Sequence, residues 1–308
     1  MYNESFSPDE KLKISKMIKN ITIKTARQDF ADLKNIGKNA STISERCRIG
    51  NNVVDYFTFK ERLETRGKYN ANFFEFISNI EEFKKKKFIL NMLEYYDKVK
   101  NKNNTKNKYI VWKETYNICI SAINIFRPIF AMEVYEKYKS ERVLDFCAGW
   151  GGRLVGACAL NLAKYVGIDI NTSLKEPYTN LVEFMASVSS TDVEMIFDNA
   201  LNVDYSKLNY DTAFTSPPYY FLEKYENNVA YISKKEMNNK FYKPLFEKTY
   251  MHLKIGGHYI LNINQEIYES VCLDLFGVAH EQFSLKKSKR QNDYTEYVYV
   301  WHKLPDSA

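Results

Sequence analysis

The chain has 308 residues, of which 45% are hydrophobic and 27% charged, a balance that excludes a disordered or collagen-like protein and allows a sizeable core. Its 44 basic and 38 acidic side chains leave a net charge of +6, unevenly spread: residues 1–140 hold 27 basic and 17 acidic groups, residues 141–308 hold 17 and 21. A basic front half suits a polyanion such as nucleic acid, with a solvated Lys-rich surface as the plainer alternative.

Residues 8–20 read as a short amphipathic helix. Ser7-Pro8-Asp9-Glu10 supplies a cap and first-turn acids, and Leu12, Ile14, Met17 and Ile18 follow at helical spacing. Residues 20–70 carry no clear period. Helical spacing returns over 71–97, with Phe73, Phe76, Ile77, Ile80, Phe83, Ile89 and Leu93. The Lys/Asn-rich stretch 98–109 reads as a linker or surface loop. Residues 110–138 are helical again, broken at Phe126-Arg127-Pro128 because proline disfavours helical geometry in the residue before it. The expected division is a basic, mainly helical region over 1–109 and a second domain over 110–308.

From residue 141 strands and helices alternate. Strands are expected at 143–146, 165–169, 193–197, 212–214 and 257–263, with helices at 154–162, 173–188, 236–254 and 265–275. Such alternation predicts a parallel sheet covered on both faces. Two last strands, near 280–285 and 296–301, leave no room for a crossover helix between them and should pair antiparallel at one edge.

Five cysteines without a CxxC pair and four histidines without metal-ligand spacing predict neither a disulfide framework nor a zinc site. No run is long and apolar enough to cross a bilayer, and the polar start does not read as a signal peptide. An intracellular, reducing location is expected.

Two motifs carry chemistry. Asp145-Phe-Cys147-Ala148-Gly149-Trp150-Gly151-Gly152 lies between the first strand and a helix, where glycines let the backbone turn sharply and approach a ligand. Asp145 ends the first strand, Asp169 ends the second 24 positions later, and Asp198 ends the third. An acid in Asp169's position can grip ribose hydroxyls. The GxGG spacing is not the dinucleotide fingerprint, and an acid at 145 would repel a pyrophosphate; an adenosine ligand with a positive or zwitterionic tail fits better. Helix caps in an ordinary α/β domain are the plain alternative. The second motif, Thr215-Ser216-Pro217-Pro218-Tyr219-Tyr220, follows the fourth strand. Its prolines hold the backbone extended with a carbonyl free to accept, Ser216 adds a side-chain acceptor and Tyr219 a flat face. Such a group can hold a planar ring and accept both hydrogens of an exocyclic amine. A rigid turn with a core tyrosine is the alternative.

Together these motifs resemble those of the S-adenosylmethionine-dependent DNA amino-methyltransferases, which modify N4 of cytosine or N6 of adenine. The resemblance covers roughly residues 120–302 and implies a doubly wound, mostly parallel seven-stranded sheet of the class I methyltransferase type. It implies S-adenosylmethionine as cofactor. The methionine part would lie on Asp145, Cys147, Ala148, Gly149, Trp150 and Gly151, with Phe126, Arg127 and Pro128 closing over its tail. Asp169 and Ile170 would take the ribose, Asp198 and Asn199 the adenine amine, and Ser216 would border both ligands. Ser216, Pro217, Pro218 and Tyr219 match the catalytic tetrapeptide, and its serine leans toward N4 of cytosine. DNA is the implied partner, in the cytoplasm of a prokaryote or of a cell hosting a phage or virus. The resemblance leaves room for a partner restriction nuclease and for either a monomer or a homodimer.

Gly152 and Phe214 are 62 positions apart, too close for a large recognition domain between the motifs. Target reading falls instead to the basic front half, to Tyr220, and to the loop bearing Lys286, Lys287, Lys289, Arg290 and Gln291, residue types that read base edges. A solvated hairpin tip is the alternative for that loop. The target base would be flipped out onto Tyr219, with Tyr220 or Phe221 as helpers, while its amine donates to Ser216 Oγ and the Pro217 carbonyl. Transfer would be direct, with alignment supplying most of the catalysis. No Pro-Cys pair occurs, which argues against carbon-5 cytosine chemistry. Other readings are the adenine branch, an RNA or protein-glutamine methyltransferase, and a non-catalytic nucleic-acid-binding subunit.

Overall fold

A computed structural model describes residues 2–43, 46–220, 229–284 and 296–305. Seven strands form one mixed sheet: β1 (Arg142–Asp145), β2 (Lys164–Asp169), β3 (Asp192–Phe197), β4 (Thr212–Thr215), β5 (His258–Asn264), β6 (Glu281–Phe283) and β7 (Glu296–His302). Their spatial order is β3-β2-β1-β4-β5-β7-β6, and only β7 runs against its neighbours. This is the mostly parallel, doubly wound sheet that the alternating pattern predicts, with the seven strands that the resemblance implies and the antiparallel β6–β7 pair at its edge.

The two-residue period of the strands sorts their side chains into two cores. Val143, Tyr165, Phe214, Ile260, Val298 and Val300 face one, while Leu144, Val166, Ala213, Tyr259, Leu261, Tyr299 and Trp301 face the other. Both faces are therefore covered, and a strand order that reverses between β1 and β4 opens a crevice at their carboxyl ends, where ligands bind in such sheets.

The front of the chain is helical: α1 (Pro8–Ile18), α2 (Ile23–Ile36), α3 (Asn51–Glu64), α4 (Phe73–Ser78), α5 (Ile80–Lys84), α6 (Lys87–Glu94) and α7 (Lys108–Cys119). Ser7 and Glu10 close a reciprocal capping box on α1, as the sequence pattern predicts. A third core joins Ile14, Phe59, Leu63, Phe73, Phe76, Ile89 and Tyr116, so α7, most of which lies beyond residue 109, packs with the helices before it. Helices α2 and α3 were not legible as periods. They add Phe30, Leu33, Val53 and Val54 to the first sheet core, so α3 serves the helical core at one end and the sheet at the other. The stretch 98–109 is more ordered than its composition suggests, because buried Asn101 donates to the Lys106 carbonyl and accepts from its N–H.

Three further helices cover the sheet near the crevice: α8 (Pro128–Lys137), α9 (Gly152–Ala159) and α10 (Lys175–Ala186). Pro128 stands at the first position of α8, with Arg127 extended before it. No helix among the described residues is long and apolar enough to cross a membrane.

Candidate active site

Both motifs lie at the carboxyl edge of the sheet, on either side of the β1–β4 crevice. Thr215, at the end of β4, ties them together: its hydroxyl accepts from the Cys147 N–H at 3.1 Å and donates to Asp145 Oδ1 at 2.7 Å. The glycine loop is held at nearly every backbone group. Ala148 N–H donates to the Ile168 carbonyl at 2.9 Å and Gly149 N–H to Asp169 Oδ2 at 2.7 Å, while the Gly149 carbonyl accepts from Tyr178 Oη at 2.9 Å. Gly149 and Gly151 take left-handed backbone, with φ of 58° and 88°. A Cβ on Gly149 would meet nothing nearer than the Cys147 carbonyl at 4.0 Å, so that face of the turn is open. Gly152 is the reverse case: a Cβ there would stand 1.7 Å from the Phe126 carbonyl. The Phe126-Arg127-Pro128 segment is thus pressed onto the loop by a contact that only glycine permits.

Asp145 departs from the expectation that it engages a ligand. Arg153 Nε and Nη2 bond its two oxygens at 2.7 and 3.1 Å, Tyr165 Oη donates to Oδ2 at 2.6 Å, and Thr215 takes Oδ1. The carboxylate is wholly buried and its acceptor positions are filled by three elements of its own chain. Burial opposes the charge on Arg153, and the Asp145 carboxylate overcomes it, holding the guanidinium protonated. Neither repulsion of a pyrophosphate nor a grip on a cationic tail can come from a carboxylate so neutralised; Asp145 anchors the loop. Phe126 backs this pair, its ring 5.1 Å from the Arg153 guanidinium and edge-on to Phe214 at 5.5 Å.

Asp169 is different. It is half-buried, and each oxygen accepts one backbone N–H, from Gly149 and from Asn171 at 2.9 Å, which leaves each an acceptor position over. Burial pushes its carboxyl up to about 6 against the pull of those two N–H groups, with Asp145 raising it further. Ile170 beside it is half-buried. Asp198 is exposed; its Oδ1 accepts from Asn199 N–H and Asn202 Nδ2, and Oδ2 has no partner among the described residues. Asn199 uses its own side chain to cap the following turn at Leu201 N–H.

Two residues of the expected cofactor set are turned inward. The Trp150 indole lies in the first sheet core, leaving only its backbone at the loop, and its carbonyl accepts from Thr58 of α3 at 3.3 Å. The Cys147 thiol is pushed well up by burial and by the charges of Asp169 and Asp145, which keeps it from acting as a nucleophile at neutral pH.

At the end of β4, Ser216 and Tyr219 face β5. Tyr219 Oη donates to the Asn262 carbonyl at 2.9 Å and lies 3.2 Å from Ser216 Oγ. Asn262 Nδ2 reaches both hydroxyls, at 3.0 Å to Ser216 and 2.9 Å to Tyr219. Asn262 Oδ1 is buried without a partner among the described residues. This asparagine was not among the expected site residues, although it interrupts the apolar run from Tyr259 to Ile263 near the carboxyl end of its strand. Pro217 is buried and Pro218 half-buried; the Pro218 carbonyl accepts from Tyr242 Oη, whereas the Pro217 carbonyl has no partner among the described residues.

Tyr220 does not face a nucleic acid. With Tyr219 turned toward β5, the next residue takes φ of 50° and sends its ring into the second sheet core, edge-on to Tyr242 at 5.6 Å. Phe221 and the loop residues Lys286, Lys287, Lys289, Arg290 and Gln291 lie outside the described residues.

No known protein-family model matches the sequence, and no curated protein does. Solved structures resemble parts of it. TrmN from Thermus thermophilus is 16% identical over 57% of this chain and 49% of its own, with a TM-score of 0.43. An rRNA methylase from Streptococcus thermophilus is 18% identical over 59% of this chain and 99% of its own, with a TM-score of 0.41. A SAM-dependent O-methyltransferase from Thermotoga maritima is 14% identical over 61% and 69%, with a TM-score of 0.42. The chain thus spans about half of the first and nearly all of the second. At such scores neither activity nor substrate carries over to this chain.

Proposed function

We propose that this chain transfers a methyl group from S-adenosylmethionine to the exocyclic amine of a base in DNA, N4 of cytosine. The observation that carries the reading is the placement of the glycine loop and the Ser-Pro-Pro-Tyr segment on one edge, tied through Thr215. The residues fit the cofactor in three respects. Gly149 presents an open backbone face, Asp169 has two acceptor positions matched to a vicinal diol, and Asp198 Oδ2 is an available acceptor for an adenine amine. Asp145 is not part of that fit. The cofactor, when bound, supplies an electrophilic methyl on a sulfonium.

The chain's own residues select and orient the amine. Asn262 Nδ2 donates to Ser216 Oγ, and the serine proton is left to point to Tyr219 Oη, so one Ser216 lone pair stays available. That lone pair and the Pro217 carbonyl accept the two amine hydrogens, which leaves the nitrogen lone pair free to face the methyl; as the nitrogen–carbon bond formed, the sulfur–carbon bond would break to leave a neutral thioether, and one of the two hydrogen-bonded protons would be released to solvent. The Tyr219 hydroxyl is anchored at β5, which sets its ring as a fixed stacking face. Alignment of this kind is the main catalytic resource of a direct displacement. Nucleoside mass analysis of duplex DNA incubated with the chain and S-adenosylmethionine tests the proposal. N4-methylcytosine is the expected product. N6-methyladenine would move the target within the same chemistry, and methylation confined to RNA or protein, or no methylation, would overturn the reading.

A further inference from the structure

Away from the carboxyl edge, α3 carries an unbalanced group of charges. Asp55 on its buried face ion-pairs with both Arg62 and Lys19. Lys19 Nζ and the Arg62 guanidinium lie 4.9 and 5.2 Å from the centre of the Phe59 ring. Lys113 of α7 joins them, its Nζ donating to Asn117 Oδ1 at 2.6 Å and standing 4.9 Å from the Tyr116 ring centre. Exposed Arg48 is close enough for its charge to act on Lys19 and on Arg127. Among the described residues, Asp55 is the only carboxylate that ion-pairs with any of Lys19, Arg48, Arg62 and Lys113. Arg62 Nε is buried with no hydrogen-bond partner among the described residues. Among the described residues two of these four cations thus pair with one carboxylate and the other two with none, and burial, then Arg62 and Lys19, push the Lys113 ammonium down to about 7.

The group is also well placed. Thr58, one helical turn before Arg62 on α3, is the residue that donates to the Trp150 carbonyl of the glycine loop. Arg127 follows Phe126, whose carbonyl abuts Gly152.

We propose that Lys19, Arg48, Arg62 and Lys113 form a phosphate-binding patch that holds the backbone of duplex DNA beside the glycine loop. The proposal rests on the nucleic-acid reading above and adds the surface that would grip the polymer. Lys19 and Arg48 reach solvent and make the first contacts; Arg62 and Lys113 supply field from beneath. A phosphodiester supplies the missing negative charge and accepts from several donors at once.

The test is binding of a short labelled DNA duplex, without cofactor, across a salt series. Removing one cation that neutralises a phosphate flattens the slope of log K against log salt by about 0.9. Arg48→Ala should flatten it by about that amount and weaken binding severalfold; Lys113→Met, which removes a cation acting from beneath, should weaken binding with a smaller flattening, while Lys113→Arg keeps the original slope. A purely packing role predicts a Lys113→Met protein that binds with the original slope, whatever its stability. Original slopes in both Arg48→Ala and Lys113→Met overturn the proposal, as does tighter binding of an RNA duplex of the same length. If Lys113→Met does not fold, Arg48→Ala at its exposed position decides alone. Methyl transfer is read separately: DNA binding with the predicted slopes but no methylated base counts against the reaction and leaves the patch standing.

Discussion

Asp145 and Asp55 are both buried carboxylates paired with arginine, yet they sit in opposite electrostatic settings. At the sheet edge, one carboxylate meets one guanidinium and two hydroxyls, and every group is satisfied. On α3, one carboxylate meets two ion-paired cations, with Lys113 and Arg48 close by and Arg62 Nε unpartnered among the described residues. A balanced, saturated cluster fixes a backbone, whereas an unbalanced one retains capacity for an outside partner. The same contrast separates Asp145 from Asp169 on neighbouring strands, one closed by its own chain and the other with acceptor positions to spare.

The largest effect expected from this contrast concerns stability. Asp145→Asn or Arg153→Met leaves a buried charge without its partner and should cost about 3–5 kcal/mol in denaturant unfolding. Substitutions that cost almost nothing would break the assignment of Asp145 as an anchor.

Asp169→Asn should behave oppositely. The folded protein favours the protonated acid, so the contribution of this group to stability is greatest at low pH and is lost as pH rises through about 6. The amide removes that loss but sets its NH2 against one of the two backbone N–H groups, so the stability of the variant should change little at neutral pH. Its affinity for S-adenosylmethionine should nevertheless fall about tenfold or more, since two hydrogen bonds to a charged acceptor are weakened. In the unsubstituted chain, titration calorimetry should show cofactor affinity falling as pH drops below about 6. An affinity that ignores both the amide and the pH would place the ribose elsewhere.

A smaller change is expected at Asn262. Replacement by alanine removes the Nδ2 donor that orients Ser216, while Tyr219 keeps its bond to the main-chain carbonyl, so kcat should drop by about tenfold, with cofactor affinity unchanged; equal losses in both would mean that the asparagine only supports the fold. The smallest is Lys113→Met, whose stability should stay level or rise, since a cation held against its neighbours is removed.

Much of this was legible in the sequence. The strands, the glycine turn, the broken helix at Pro128 and the antiparallel edge followed from period and turn chemistry. Helix α3 was not, because its buried face includes Asp55, Thr58, Glu61 and Arg62 as well as Val53, Val54, Phe59 and Leu63, which hides the apolar stripe. The saturation of Asp145 was not legible either, since Arg153, Tyr165 and Thr215 converge on it from α9, β2 and β4. Nor was the inward turn of Tyr220, which depends on a left-handed backbone at a tyrosine.

Single-turnover methyl transfer to duplex DNA by Ser216→Ala and Tyr219→Ala, at saturating S-adenosylmethionine, is the most direct test. The shared pocket predicts that each variant still binds the cofactor as the parent chain does and transfers the methyl at a rate about 100-fold lower. Undiminished transfer by both would show that the amine is held somewhere other than beside Ser216 and Tyr219.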